Sequence, residues 1–168
     1  MKMNNYICKI PTLEEMERKW QYQIDIATDD KENWIIWKKN TIDRFKENKI
    51  IPYYGILDGE IICECSAVID PKALPGIEEF VNNESAYLYA FRTNQEYQGK
   101  GYFSKLIKFM IEDLKIRGYK SVVLGVEPEE LKNKEIYFKY GFNEHLKDGE
   151  ETYPDGTKIK VEYYSKTL

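Results

Sequence analysis

The residues best suited to chemistry in this chain lie at Gln98-Gly99-Lys100-Gly101-Tyr102-Phe103-Ser104. They follow an aromatic strand-like run, Ala86-Tyr87-Leu88-Tyr89-Ala90-Phe91-Arg92-Thr93, and precede a long amphipathic helix pattern. A glycine-rich turn between a strand and a helix leaves backbone N–H groups unpaired at the positive end of the helix, which suits phosphate or pyrophosphate. Other reactive side chains are sparse. Cys63 and Cys65 are two apart and so share one face of a strand, and with Cys8 and His145 they could be drawn together as a metal site. Their spacing fits no usual zinc pattern, so core packing is the plainer reading and no metal is expected.

The turn is positioned by what surrounds it. Tyr102, Phe103, Leu106, Ile107, Met110, Ile111 and Leu114 recur at helical spacing, which predicts a helix from about Gly101 to Arg117, with Gly118 just past its end. Ser121-Val122-Val123-Leu124-Gly125-Val126 then reads as a fully buried strand. Strand, glycine turn, helix and buried strand make one right-handed βαβ unit with a parallel pair. Upstream, Thr12 can cap a helix over 12–26 with Leu13, Met16, Trp20 and Ile24 as its apolar stripe. A second helix spans about Glu32 to Glu47, with Ile35, Ile36, Ile42 and Phe45 pointing inward. Asp58-Gly59 predicts a tight hairpin between strands at 50–57 and 60–68. Residues 71–83 read as a loop with room for a short helix. Downstream, residues 130–140 form a short helix ending at Gly141, Phe142 opens a strand, and residues 158–164 alternate as a half-exposed strand. The fold class is α+β, a mixed, mostly antiparallel sheet with a central parallel βαβ unit and helices on both faces.

A length of 168 residues favours one domain. The formal charge of −4 carries no basic footprint for nucleic acid. No apolar run approaches the ~18 residues of a membrane span, and no signal-peptide pattern opens the chain. Three cysteines form no disulfide framework, and a reducing cytoplasm fits them. The acidic pairs Asp29-Asp30, Glu78-Glu79 and Glu150-Glu151 could favour a cationic substrate, though a solvated surface is the plainer reading.

Two glycine-turn chemistries fail on spacing. A nucleotide-hydrolysing loop needs Ser or Thr directly after Gly-Lys, but Gly101 follows Lys100. A dinucleotide fold needs a second parallel half that is missing. The segment instead resembles motif A of the GNAT N-acetyltransferases, (Arg/Gln)-x-x-Gly-x-(Gly/Ala). Gln98 and Gly101 match the first and fourth positions, while Phe103 stands where a small residue is expected. Glu135-Ile136-Tyr137-Phe138-Lys139-Tyr140-Gly141-Phe142 is similar to the family's motif B, a Tyr-bearing helix ending in Gly-Phe. An Asn common in the family seven residues before that Tyr is Glu130 here, and Asn133, one turn before Tyr137, could share its face.

The resemblance implies a single domain over 1–168, with the helices of 1–49 on the acceptor side and the core at 50–168. It implies acetyl-coenzyme A as co-substrate. The N–H groups of Gln98, Gly99, Lys100, Gly101, Tyr102, Phe103 and Ser104 would hold its pyrophosphate. Phe91 and Thr93 would meet its pantetheine arm as an added strand, and Asn133 would support it. A neutral primary amine would attack the thioester directly, the N–H near Phe91 would polarise the carbonyl, and Tyr137 would protonate the leaving thiolate. For this reading to hold, Phe103 must turn into the helix–sheet core. No general base can be read. Glu64, Glu127 and His145 are candidates, and surface positions are the plainer reading of all three. Trp34 and Trp37 are either core or a substrate wall. The acceptor expected is a small-molecule amine, without nucleic acid or membrane partners, and dimers are common in the resembled family. A peptide N-terminus or lysine is the alternative acceptor. A non-catalytic acyl-coenzyme A sensor and a pure interaction domain are the alternative classes.

Overall fold

A computed structural model describes residues 5–168. Seven strands form one sheet: β1 (Tyr6–Lys9), β2 (Ile50–Leu57), β3 (Glu60–Val68), β4 (Ser85–Thr93), β5 (Ser121–Val126), β6 (Glu144–Thr152) and β7 (Lys158–Thr167). Their spatial order is β1-β2-β3-β4-β5-β7-β6, and among the described residues only β4 and β5 run parallel. The four α-helices are α1 (Leu13–Ile26), α2 (Lys31–Lys46), α3 (Tyr102–Ile116) and α4 (Leu131–Lys139). The mixed, mostly antiparallel sheet with one parallel pair and helices on both faces is the architecture that the sequence predicts.

Local chemistry explains most boundaries. Thr12 and Glu15 close a reciprocal capping box, with Glu15 N–H donating to Thr12 Oγ1 at 3.2 Å and Thr12 N–H donating to Glu15 Oε1 at 2.9 Å. Asp58 and Gly59, at φ of 48° and 84°, make the two-residue turn that joins β2 to β3.

The two sheet faces carry different cores. Leu106, Ile107, Met110 and Leu114 of α3 pack with Ile62, Cys63, Cys65, Leu88, Val122, Leu124 and Phe142 on one face. On the other, Met16 and Trp20 of α1 and Ile42 of α2 cover Tyr54 and Ile56. The 71–83 segment lays Ala73, Ile77, Phe80 and Val81 over Val68, Tyr87, Val123 and Tyr163 on that same side.

Three expectations change. The strand Tyr6–Lys9, unread in the sequence, pairs antiparallel with β2 and extends the sheet. It is too short to show a period. Ile35 faces solvent at 51% exposure, and Asn33 and Thr41 are buried in α2 instead, Asn33 because Asp155 offers it both a donor and an acceptor. Finally, β7 alternates as expected up to Tyr163, but Tyr164 departs from the pattern. The strand inserts between β5 and β6, so Tyr163 and Tyr164 are buried on opposite faces of the sheet.

Candidate active site

The site forms where β4 leaves β5. Their pairing runs only from Ser85↔Ser121 to Leu88↔Leu124. Beyond it β3 accompanies β4 to Thr93, and β7 accompanies β5 to Val126. The β3–β4 register jumps from Ser66↔Tyr89 to Glu64↔Arg92, so Ala90 and Phe91 together oppose Cys65. Ala90 takes φ of 58° to make this bulge. A left-handed non-glycine residue costs about 1–2 kcal/mol, and a bulge of this kind re-aims the strand. Nothing in the local sequence marks the position. The result is an open backbone edge at residues 90–93, a template for an extended ligand.

The glycine turn lies at the end of that edge. Gly99 and Gly101 have φ of 74° and 87°, and a Cβ on either would meet no atom within 4 Å. Glycine is thus needed for backbone conformation, and its bare side faces open space. Helix α3 begins from Gly101 without a side-chain cap. Among the described residues, no backbone carbonyl in the turn or cap accepts from the N–H groups of residues 99–104. Gln98 fastens the turn to β4 through Nε2 donating to the Thr93 carbonyl at 3.1 Å. A row of free donors at a helix N-terminus fits a pyrophosphate, and an open strand edge beside it fits an extended arm.

Phe91, Phe103, Tyr137 and Tyr140 line the α3–α4 side. Ring centroids lie 5.3 Å apart for Phe91–Tyr137, 5.8 Å for Phe91–Phe103 and 6.3 Å for Phe103–Tyr140. Phe103 is half-buried with its ring against the main core, so a large residue at this point of the turn is accommodated. Tyr137 is fixed by the end of α4. Gly141 at φ 97° lets Phe142 N–H return to the Tyr137 carbonyl at 3.0 Å, and the Phe142 ring is fully buried. Burial, then the Glu130 carboxylate, raises the Tyr137 hydroxyl above its ordinary pKa, so this side chain keeps its proton more firmly than a free tyrosine. Asn133, one turn earlier, donates to Glu130 at 2.8 Å.

The opposite face corrects the reading of Glu64. It is not a surface charge. Only 4% of it is exposed, and it forms an ion pair with Lys19 of α1 and lies 3.7 Å from Arg92 of β4. Lys19 is equally buried, and its ammonium sits 3.6 Å from the Trp20 ring centroid. The Arg92 guanidinium stacks 4.3 Å from Trp34. Lys19 was legible in hindsight, since it lies three residues after Met16 on the buried stripe of α1.

Trp34 and Trp37 are half-buried members of a chain of rings, Trp20–Trp34–Trp37–Tyr153, with centroid steps of 5.9, 5.2 and 5.3 Å. Asn33 holds this wall to the β6–β7 turn, donating to Asp155 Oδ2 at 3.0 Å and accepting from Asp155 N–H at 3.1 Å. Glu127, just past β5, is half-buried. Burial, then Glu130, raises its carboxyl above the ordinary range. His145 lies on β6 with Asp148 at 2.8 Å, whereas Cys63 meets Tyr6 and Cys65 meets Met110. The four residues imagined as a metal site are therefore not brought together.

Residues 10–142 match the Acetyltransferase (GNAT) family. The chain belongs to that family. No curated protein matches the acetyltransferase in sequence. Among solved structures it resembles ribosomal-protein-alanine N-acetyltransferase from Brucella melitensis, at 16% identity and TM-score 0.67, covering 96% of this chain and 99% of that one. It also resembles Arabidopsis thaliana NAA60 in complex with a bisubstrate analogue, at 15% identity and TM-score 0.67, covering 97% and 98%. A putative acetyltransferase from Acinetobacter baylyi ADP1 matches at 14% identity and TM-score 0.69, covering 100% and 94%. At these identities the likeness is one of fold. The acetyltransferase gathers Phe91, Phe103 and Tyr137 in one cluster beside the turn, and it ties Glu64, a base candidate from the sequence, into a buried ion pair. It adds Lys19, Arg92, Asn33 and Tyr153, which the sequence did not mark for the site. Among the described residues no helix is long and apolar enough to cross a membrane.

Proposed function

We propose that this acetyltransferase moves an acetyl group from acetyl-coenzyme A to the primary amine of a small molecule. The observation that carries the reading is the open edge of β4, which leads to the row of free N–H groups at residues 99–104. Acetyl-coenzyme A supplies an activated thioester. The N–H groups of residues 98–104 would hold its pyrophosphate, with Lys100 adding positive charge. The main chain of Phe91 and Thr93 would receive its extended arm, with Asn133 facing it from α4. Phe91 N–H is the donor for the charge that develops on the carbonyl oxygen.

Tyr137 supplies the proton for the departing thiolate. Its raised pKa keeps it protonated throughout the neutral and mildly alkaline range, so it acts as a hydrogen-bond donor that yields its proton only as the thiolate forms. Glu127 is the base that relieves the ammonium of its proton, through water. Its raised pKa brings a carboxylate closer to the task than an exposed glutamate. The amine arrives from the α1–α2 side. There the rings of Trp34, Trp37 and Tyr153 and the Asn33–Asp155 bonds form a roof. A cavity of about 180 Å³ beneath α1 suits a small amine better than a chain that must pass through.

Millimolar acetyl-coenzyme A should raise the melting temperature, since saturation at 100 times the dissociation constant stabilises by about 2.7 kcal/mol. Thiol release should then follow with members of a panel of aminoglycosides, polyamines, amino acids and N-terminal peptides. No thermal shift would sink the reading. A shift without thiol release would favour a cofactor sensor, and preference for peptides over every small amine would move the acceptor to protein.

A further inference from the structure

The buried charges between α1, β3 and β4 are unbalanced. Lys19 and Arg92 both lean on the single carboxylate of Glu64, so the cluster carries a net charge of +1. Neither Lys19 Nζ nor Arg92 Nη1 has a well-directed hydrogen-bond acceptor among the described residues, although both atoms are buried. The Lys19 and Glu64 side chains are 4% and 5% exposed, and that of Arg92 is 33% exposed. All three residues line the cavity of about 180 Å³, together with Tyr22, Gln23, Asn94 and the oppositely charged Arg18 and Glu60, which cancel in the balance. Arg92, Asn94, Tyr22 and Gln23 also line the wider cleft that runs to Gln98 of the glycine turn. A net cation with unused donors facing a cavity is costly for folding alone, because buried donors normally find acceptors. An anion entering the cavity would supply them.

We propose that Lys19 and Arg92 form a carboxylate subsite for the acceptor, so that the preferred substrate is a small zwitterion, an amino acid or close analogue, whose amine is acetylated. A monoanion brings the cluster to neutrality, whereas a phosphate dianion would overshoot beside Glu64. The planar guanidinium presents paired donors that match a carboxylate. The position also suits the chemistry. Arg92 directly follows Phe91 on β4, and successive residues of a strand point to opposite faces. The carboxylate would therefore be held on the acceptor face, one residue along from the backbone expected to hold the thioester. This rests on the acetyl-transfer reading for its place in a reaction, and the subsite itself can be tested without it.

All three tryptophans belong to the aromatic chain beside these cations, with Trp20 touching Lys19 and Trp34 touching Arg92. Titration with N-acetylglycine at fixed ionic strength, balanced with chloride, should change tryptophan fluorescence saturably in the millimolar range, and N-acetylglycinamide should not. Arg92→Gln should raise the apparent dissociation constant at least tenfold, and Lys19→Met is the second variant should the first fold poorly. An equal response to the amide, no saturable response, or unchanged affinity in both variants would overturn the subsite. In turnover, amino acids should exceed their amides at least tenfold in kcat/KM, and Arg92→Gln should collapse that ratio. Acetylation of amines with no preference for a carboxylate sinks the subsite and leaves acetyl transfer standing. Saturable N-acetylglycine binding without acetylation of any amine does the reverse.

Discussion

Replacing Lys19 with Met should stabilise this protein, although it deletes one partner of a buried ion pair. Removing one member of such a pair usually costs about 3–5 kcal/mol, because it strands the other charge. Glu64 would not be stranded, since Arg92 remains 3.7 Å away. Lys19 is the surplus cation. Burial lowers its pKa most, Glu64 raises it back in part and Arg92 lowers it again, leaving a value of about 8 against an ordinary 10.5. At 1.36 kcal/mol per unit, the folded state disfavours the charged ammonium by about 3 kcal/mol. The sign follows from proton counting. Between pH 8 and 10.5 the unfolded chain holds a proton that the folded chain has released, so this group makes stability rise with pH across that window. Below pH 8 the cost is fully present. Lys19→Met should therefore gain up to about 3 kcal/mol at pH 7, or roughly 6–10 °C in melting temperature for a chain of this length. The difference between wild type and variant should shrink as pH climbs toward 10.5. Glu64→Gln should do the opposite and cost about 3–5 kcal/mol, because it leaves two cations facing each other. Urea unfolding at several pH values, read as wild type minus variant, checks both. If Lys19→Met destabilises as much as Glu64→Gln, or keeps the wild-type pH slope, then the charge is not surplus and the reasoning fails.

Tyr137→Phe should lower kcat by about 10²–10⁴-fold, the range for loss of a general acid, while the acetyl-coenzyme A thermal shift is kept; equal turnover would remove Tyr137 from the acid role. Glu127→Gln should lower kcat/KM at neutral pH and abolish the part of the rising pH profile that reflects carboxylate ionisation, which in wild type lies above the ordinary glutamate range; an unchanged profile would assign the base elsewhere. Gly101→Val should weaken acetyl-coenzyme A binding at least tenfold, since it adds left-handed strain of about 1–2 kcal/mol at φ 87° and fills the open side of the turn. Gly118→Ala carries similar strain at φ 97° at the far end of α3 and should leave that affinity alone, so equal loss in both would reduce the cradle to a folding effect.

The parts of this enzyme that obey local rules were legible in its sequence. The capping box at Thr12, the Asp58-Gly59 turn, the period of α3 and the continuous apolar run of β5 each follow from interactions within a few residues, and each is found where the pattern predicts it. What escaped is non-local. The bulge at Ala90 arises from how β4 must bend between β3 and β5, and alanine gives no sign of a left-handed backbone. The burial of Glu64 depends on Lys19, 45 positions earlier, and Arg92, 28 positions later, so period-2 alternation could say only which face it takes. That face is covered by α1 and α2, and a carboxylate there must meet partners or take up a proton. The same reasoning explains why the site is polar at all. A sheet that must part to admit a ligand leaves backbone donors and buried charges unsatisfied at the same place, on opposite faces of the same stretch of β4. On the proposed reading, the free N–H row serves the donor's side and the surplus cation serves the acceptor's. The two deficits are expected to be filled together when both substrates are bound.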